Sequence, residues 1–274
     1  MKIQFLGTAA AEGVPALFCS CPTCKRAREL GGNEIRTRSQ SLIDDKLMID
    51  FSADTLHHCV TQNIDLFNIH HYIITHVHED HFYPDDIVLL RPGYANLPEG
   101  TPPYHFYGSE EMVYKLAPHA GLTEGRLIPH FIYPYQTEQI AGMEVTPLEA
   151  EHGTKSPFNY IIKNGDKTML YAHDTGKFLP KVIDYLGSTK PHFDFISLDC
   201  TNGIRERDQW GGHMCLNSDI EMREKLRSLG CVDDRTICYV NHFSHNSPHI
   251  LYEDRGLYEK EGFGMSCDGK IVEF

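Results

Sequence analysis

The sequence predicts an α/β (α+β) fold in which two mixed sheets pack face to face under a cover of helices. Three observations carry this. Short apolar, β-branched runs recur in groups, with helix-patterned segments between the groups. The hydrophobic share is 41% and the charged share 23%, the balance of a chain that buries a substantial core. No apolar run approaches the roughly 18 residues that a membrane helix requires, and 274 residues suit one large domain spanning 1–274.

Residues 2–7 read as the first strand. A Gly/Ala-rich loop follows, then the Cys19-Ser20-Cys21-Pro22-Thr23-Cys24 segment and a short basic helix. Residues 39–43 and 47–51 form a hairpin around Asp44-Asp45-Lys46, and 53–61 a helix. The run 72–75 has the composition of a buried strand, and Pro84 opens the next helix from its first turn. Strands are expected at 104–107, 145–148, 158–162, 168–172, 193–198 and 236–240. Helices are expected at 110–116, 177–185, 216–229 (stopped by Gly230) and 248–260, and a hairpin around Asp268-Gly269 ends the chain. The Pro-rich stretch 92–103 is a surface loop, since motif residues flank it on both sides.

The charge balance is 25 Lys+Arg against 38 Asp+Glu, a net −13. An acidic chain without a Lys/Arg cluster repels polyanions, so a large nucleic-acid partner is not expected. Nine Cys, an odd number, argue against a disulfide-stapled secreted domain. Gln4, Gly7, Thr8 and Glu12 interrupt the apolar start, so no secretory leader is expected. A cytoplasmic protein with reduced thiols follows from these readings, with no membrane partner. The 17 His are the loudest signal in the composition and point to metal.

The chemistry centres on Thr75-His76-Val77-His78-Glu79-Asp80-His81, directly after an apolar strand. In an extended chain His76 and His78 face one side, and a turn at Asp80-His81 brings two more ligands to a neighbouring point. Imidazole with carboxylate is a donor set for borderline divalent metals. Further candidates sit at the ends of predicted strands: His152, Asp174 and His242 with His245. Strand ends of a layered fold converge on one edge, so these residues belong with the motif.

His76-x-His78-x-Asp80-His81, followed by His152, Asp174 and His242, resembles the metallo-β-lactamase superfamily over nearly the whole chain. The resemblance implies a four-layer αββα sandwich and a two-metal site. His76, His78 and His152 would hold one ion, Asp80, His81 and His242 the other, and Asp174 would bridge them. Asp50 matches the strand-end Asp that orients a metal-bound His. A hydroxide between two Mn²⁺ or Zn²⁺ ions would be the nucleophile. That ligand set leaves the pocket at a net charge of about +1, which suits a small anion inside a −13 chain.

Cys19-x-Cys21-x-x-Cys24 offers three thiolates, and His245 is a natural fourth ligand for one structural Zn²⁺. Together with Gly7-Thr8 and Gly13-Val14-Pro15, this is similar to the PhnP-type cyclic phosphodiesterases of the carbon–phosphorus lyase pathway. In that group a non-ligand His transfers a proton, and Gly211-Gly212-His213 stands in the matching place. The glycines would let the backbone approach a substrate. His213 would be the general acid, with Asp80 also at the catalytic centre. The expected activity is hydrolysis of small, cyclic phosphodiesters. The alternatives are a ribonuclease Z-like RNA processor, a lactonase or thioesterase, and a carrier like the pyrroloquinoline-quinone biosynthesis B protein. Two departures, Pro84-Asp85 after the motif and Phe51-Ser52 after Asp50, bear on substrate preference. The remaining histidines, among them His57-His58, His70-His71 and His173, read mostly as surface or supporting residues. Dimers are common among soluble enzymes, and a homodimer is admitted rather than indicated.

Overall fold

The computed structural model describes residues 1–208 and 211–274. Among the described residues, fourteen strands form two seven-stranded sheets. The first sheet takes β1 (Lys2–Gly7), β2 (Gln40–Ile43), β3 (Leu47–Ile49), β4 (His71–Ile73), β5 (Tyr104–Gly108) and β6 (Leu127–Phe131). The second takes β7 (Glu138–Ile140), β8 (Met143–Glu149), β9 (Phe158–Asn164), β10 (Lys167–Ala172), β11 (Phe195–Asp199), β12 (Ile237–Asn241) and β13 (Gly264–Met265). β14 (Ile271–Glu273) then returns to the first sheet, beside β1. β3 to β6 run parallel in one sheet, and β10 to β13 in the other.

Alternation along the strands makes the layers. Phe5, Ile49, Ile73, Tyr160, Met169 and Phe195 meet between the sheets. Their neighbours point outward to helices: Met48, Tyr72 and Phe106 pack with Met112 and Leu116 of α4 (Glu110–Ala120). Leu170, Ile196 and Leu198 pack with Val182 and Leu186, and with Met222 and Leu226. Strands buried on both faces carry apolar residues at successive positions, as Phe195 and Ile196 do in the fully buried β11. The result is the αββα sandwich.

Several elements differ from expectation. The predicted helix 248–260 is only a 3₁₀ turn (Tyr252–Asp254) and a short helix (Arg255–Glu259), because Pro248 and the left-handed His249 (φ 56°) hold the chain open. No hairpin closes the chain: β13 and β14 lie in different sheets, and Asp268-Gly269 is the crossing between them. There the Gly269 N–H donates to Phe5 O, and Asp268 accepts from the Thr8 hydroxyl and the Thr37 N–H. β6 and β7 were not expected as strands; each is the edge of its sheet. Among the described residues, no helix is long and apolar enough to cross a membrane.

Candidate metal centre

The candidate ligands leave from the C-terminal ends of strands that finish on one side of the sandwich. His76, His78, Asp80 and His81 follow β4, His152 follows β8, Asp174 follows β10 and His242 follows β12. Strand ends are where layered folds gather side chains from distant sequence. Asp174 (φ 53°) and His242 (φ 66°) adopt left-handed backbone, as does Asp50 (φ 67°) after β3. Non-glycine residues hold that conformation only where their surroundings impose it, and such places cluster at functional sites.

Two ligand groups result. In the first, His76 Nε2 lies 3.1 Å from His78 Nδ1, and His152 Nε2 lies 3.0 Å from the same atom. Asp174 Oδ2 stands 3.1 Å from both His76 Nε2 and His152 Nε2. In the second, His81 Nε2 is 3.2 Å from His242 Nε2 and 3.4 Å from Asp80 Oδ2. Asp174 Oδ2 is 3.3 Å from His81 Nε2 and 3.8 Å from His242 Nε2. A tetrahedral ion with metal–nitrogen distances of about 2.0 Å separates its ligand atoms by roughly 3.3 Å. Both groups fit a divalent metal, and one carboxylate oxygen faces both.

Supporting hydrogen bonds fix the rings. His81 Nδ1 lies 2.7 Å from Asp50 Oδ2, while Asp50 Oδ1 accepts from the N–H and hydroxyl of Thr75 at 2.8 and 2.9 Å. His242 Nδ1 lies 2.8 Å from Thr201 Oγ1. Each contact leaves Nε2 free to face the metal position. Asp199, at the end of β11, was missed by the sequence reading. Fully buried, it accepts from the N–H groups of Asp174 (3.0 Å), Thr201 (3.1 Å) and Met214 (2.8 Å), and so ties three site segments together. Burial works against its charge, but His213 and His242 outweigh burial and hold its carboxyl below the ordinary range. The available signal was positional: Asp199 ends a buried strand, as Asp50 follows one.

The site opens into a cavity of about 420 Å³ lined by members of both ligand groups, His213, Ala10 to Glu12, Ser244 and Asn246. His213 Nδ1 stands 3.1 Å from Asp174 Oδ1 and 3.6 Å from Asp199 Oδ2. Burial disfavours its protonation, yet the two carboxylates prevail and raise its pKa to about 10. The same ring also falls in a third grouping, with Asp174, Asp199 and His242. Gly212 does make a close approach, but to the protein: a Cβ there would lie 3.2 Å from His152 Nδ1 and from the Glu151 carbonyl. His173, beside Asp174, is buried and turned away, bonded to Ser197 Oγ (2.7 Å) and Asn241 (3.0 Å).

Cys19, Cys21, Cys24 and His245 form a separate group. His245 Nδ1 lies 3.5 Å from Cys19 Sγ and 3.6 Å from Cys21 Sγ. A tetrahedral Zn²⁺ with one nitrogen and one sulfur ligand separates them by roughly 3.5 Å. Burial opposes the Cys21 thiolate, but His245 and the Cys24 N–H win, and its pKa falls to about 6. Burial pushes the Cys24 thiol up to about 12.

A family model for the β-lactamase superfamily domain matches residues 47–237, more than half of the chain. The chain belongs to this superfamily. In sequence it matches no curated protein. Solved superfamily structures resemble it over its full length. Zn²⁺-bound PqqB from Methylobacterium extorquens has a TM-score of 0.76 at 16% identity, covering 100% of both chains. A diphosphatase from the PhnP family has a TM-score of 0.75 at 22% identity, covering 100% of this chain and 98% of the other. The short form of human tRNase Z has a TM-score of 0.64 at 15% identity, covering 100% and 99%. At these identities the likeness establishes the superfamily fold alone.

Proposed function

We propose that the protein is a metal-dependent hydrolase of small phosphodiesters, with two divalent ions, Mn²⁺ or Zn²⁺, at the strand-end site. The observation that carries this reading is the pair of ligand groups sharing Asp174 Oδ2 at the floor of a small cavity. A cavity of about 420 Å³ accommodates a small molecule. Divalent ions supply Lewis acidity toward phosphate oxygens and acidify water.

The chain's own residues do the rest. His76, His78 and His152 hold one ion, Asp80, His81 and His242 the other, and Asp174 spans both. Asp50 and Thr201 keep His81 and His242 in the tautomer that presents Nε2. His213, in the cavity wall beside Asp174, donates a proton to the departing oxygen. The Cys19–Cys21–Cys24–His245 group takes one structural Zn²⁺ and ties the N-terminal loop to the segment that carries His242. The likeness to a diphosphatase from the PhnP family supports phosphoryl over carbonyl substrates.

The deciding experiment is a hydrolysis screen on metal-quantified protein with Mn²⁺ and Zn²⁺ each supplied. It sets cyclic phosphodiesters against a lactone, a thioester and a precursor tRNA. Turnover of the cyclic diesters is expected. Silence on them with both ligand groups filled would overturn the reading.

A further inference from the structure

Gly7-Thr8 touches neither ligand group, yet the chain leaves little choice at Gly7. A Cβ there would lie 2.0 Å from the Arg38 carbonyl oxygen and 2.9 Å from His58 Nε2. Glycine lets β1 pass over an imidazole that is fully buried. Burial pushes the His58 pKa down to about 4, so the ring is neutral.

His58 lies in α2 (Thr55–Gln62), and its Nδ1 is 2.5 Å from Gln40 Oε1. Gln40 is itself fully buried. Its amide nitrogen donates to the Asp50 carbonyl oxygen at 3.0 Å and to Thr55 Oγ1 at 3.0 Å. Two acceptors at one end of the amide fix that end as nitrogen, and His58 Nδ1–H must then donate to the other. The chain of contacts therefore runs from His58 through Gln40 to the backbone of Asp50. Asp50 is the left-handed residue whose N–H donates to Ile73 O at 2.9 Å and whose carboxylate lies 2.7 Å from His81 Nδ1. Without Gln40, the buried Asp50 carbonyl loses its side-chain donor and the strained φ loses one of its restraints.

We infer that Gln40, oriented by His58, is a positioning residue for the Asp80–His81–Asp174–His242 group: it holds Asp50 in the backbone conformation that aims its carboxylate at His81. This rests on the reading of that group as a metal site.

The test begins with holoprotein equilibrated at graded free Mn²⁺, with bound metal counted for wild type and the near-isosteric Gln40→Met. The variant should bind one Mn²⁺ about 10- to 100-fold more weakly, the effect typical of removing outer-shell support. The other Mn²⁺ and the zinc of the cysteine group should be unchanged. A merely structural role would lower thermal stability and weaken every site together, which would overturn the inference, as would unchanged binding at all sites. The His81 Nδ1–H proton resonance gives a second readout. In protein loaded with diamagnetic Zn²⁺ it should be sharp and far downfield in wild type, and lost or shifted in Gln40→Met.

If Gln40→Met fails to fold, the pair His58→Asn and His58→Leu replaces it. Asn keeps an N–H donor toward Gln40 and should retain the second ion, whereas Leu should not. Equal behaviour of the two would overturn the inference. A wild type that takes up no second ion would bring down the metal-site reading. The His81 resonance would still decide the positioning role, since an unchanged signal in the variant contradicts it.

Discussion

The strand-end ligands and the cysteine ligands share one segment, for His242 serves the first set and His245, three residues on, serves the second. They are built differently. His81, Asp174 and His242 are buried at strand ends, and Asp50, Thr201 and Asp199 hold them through side-chain and backbone hydrogen bonds. The cysteines sit on a loop and the first turn of α1 (Pro22–Leu30), with Cys19, Cys21 and His245 half-buried. Their sulfurs accept mainly backbone N–H groups, from Cys21 (3.4 Å), Cys24 (3.4 Å) and Ala16 (3.2 Å). On the proposed function, the fold would organise the first group before metal arrives, whereas metal would contribute to organising the second. The first should therefore govern activity and the second stability.

The largest test of that division is Asp174→Ala. Its Oδ2 faces four imidazoles, so both halves of the strand-end group lose a member. Turnover of a cyclic phosphodiester should fall by at least about 10³-fold, with fewer Mn²⁺ bound and the cysteine-bound Zn²⁺ retained. Metal counting with kinetics checks this; near-normal turnover with a full metal complement would break the comparison. Next comes His213→Gln, which should lower kcat by about 10²–10³-fold on esters with poor leaving groups. Metal content should stay intact and the effect should shrink on a nitrophenyl ester. Equal losses on both substrates, or a missing metal, would make His213 a ligand rather than an acid.

Asp50→Asn and Cys21→Ser then sharpen the contrast as a pair. Asp50→Asn should weaken one active-site ion by about 10- to 100-fold and leave the cysteine-group Zn²⁺ in place. Cys21→Ser should lower Tm by roughly 5–10 °C, with residual activity per folded molecule within about twofold. A thermal scan and a metal assay on each variant separate the two patterns. If Cys21→Ser removed turnover without moving Tm, the division between the groups would be wrong.

Much of this was legible in the sequence because the signals are dense or positional. Four ligands in six residues after a buried strand mark the motif, and His152, Asp174 and His242 share its strand-end setting. Asp199 shares that setting too, but a lone Asp before a Cys has no spacing to set it apart from an ordinary strand terminus. β6 and β7 were passed over because edge strands need little apolar content: β6 carries Pro129, and β7 is only Glu138–Ile140. The role of His58 was left open and Asp268 was misread as a hairpin turn for one reason. Both act through contacts with residues far along the chain, at separations that local pattern does not report.

The smallest expected effect lies behind both groups, at Asp268. Its Oδ1 accepts from Thr8 Oγ1 at 2.6 Å, while its Oδ2 lies 2.6 Å from Thr37 Oγ1. Thr37 Oγ1 is also 2.7 Å from His58 Nε2. Thr37 has one hydroxyl hydrogen for two partners, so with a neutral His58 the second contact is best made by a proton on Asp268. Burial agrees in direction: it raises the Asp268 pKa from 3.8 to about 6, against Thr37, Thr8 and Arg36. A carboxyl raised in the native state binds more protons there than in the unfolded chain. Its contribution is therefore most favourable below pH about 4, declines as pH rises toward about 6, and stays lost above that, by roughly 3 kcal/mol in all. Asp268→Asn should flatten this part of the stability profile, measured by urea unfolding between pH 4 and 7, while leaving the metal content of both groups unchanged. A variant with the same slope as wild type would assign the proton to His58 instead, and the buried pair would then be an imidazolium facing a carboxylate.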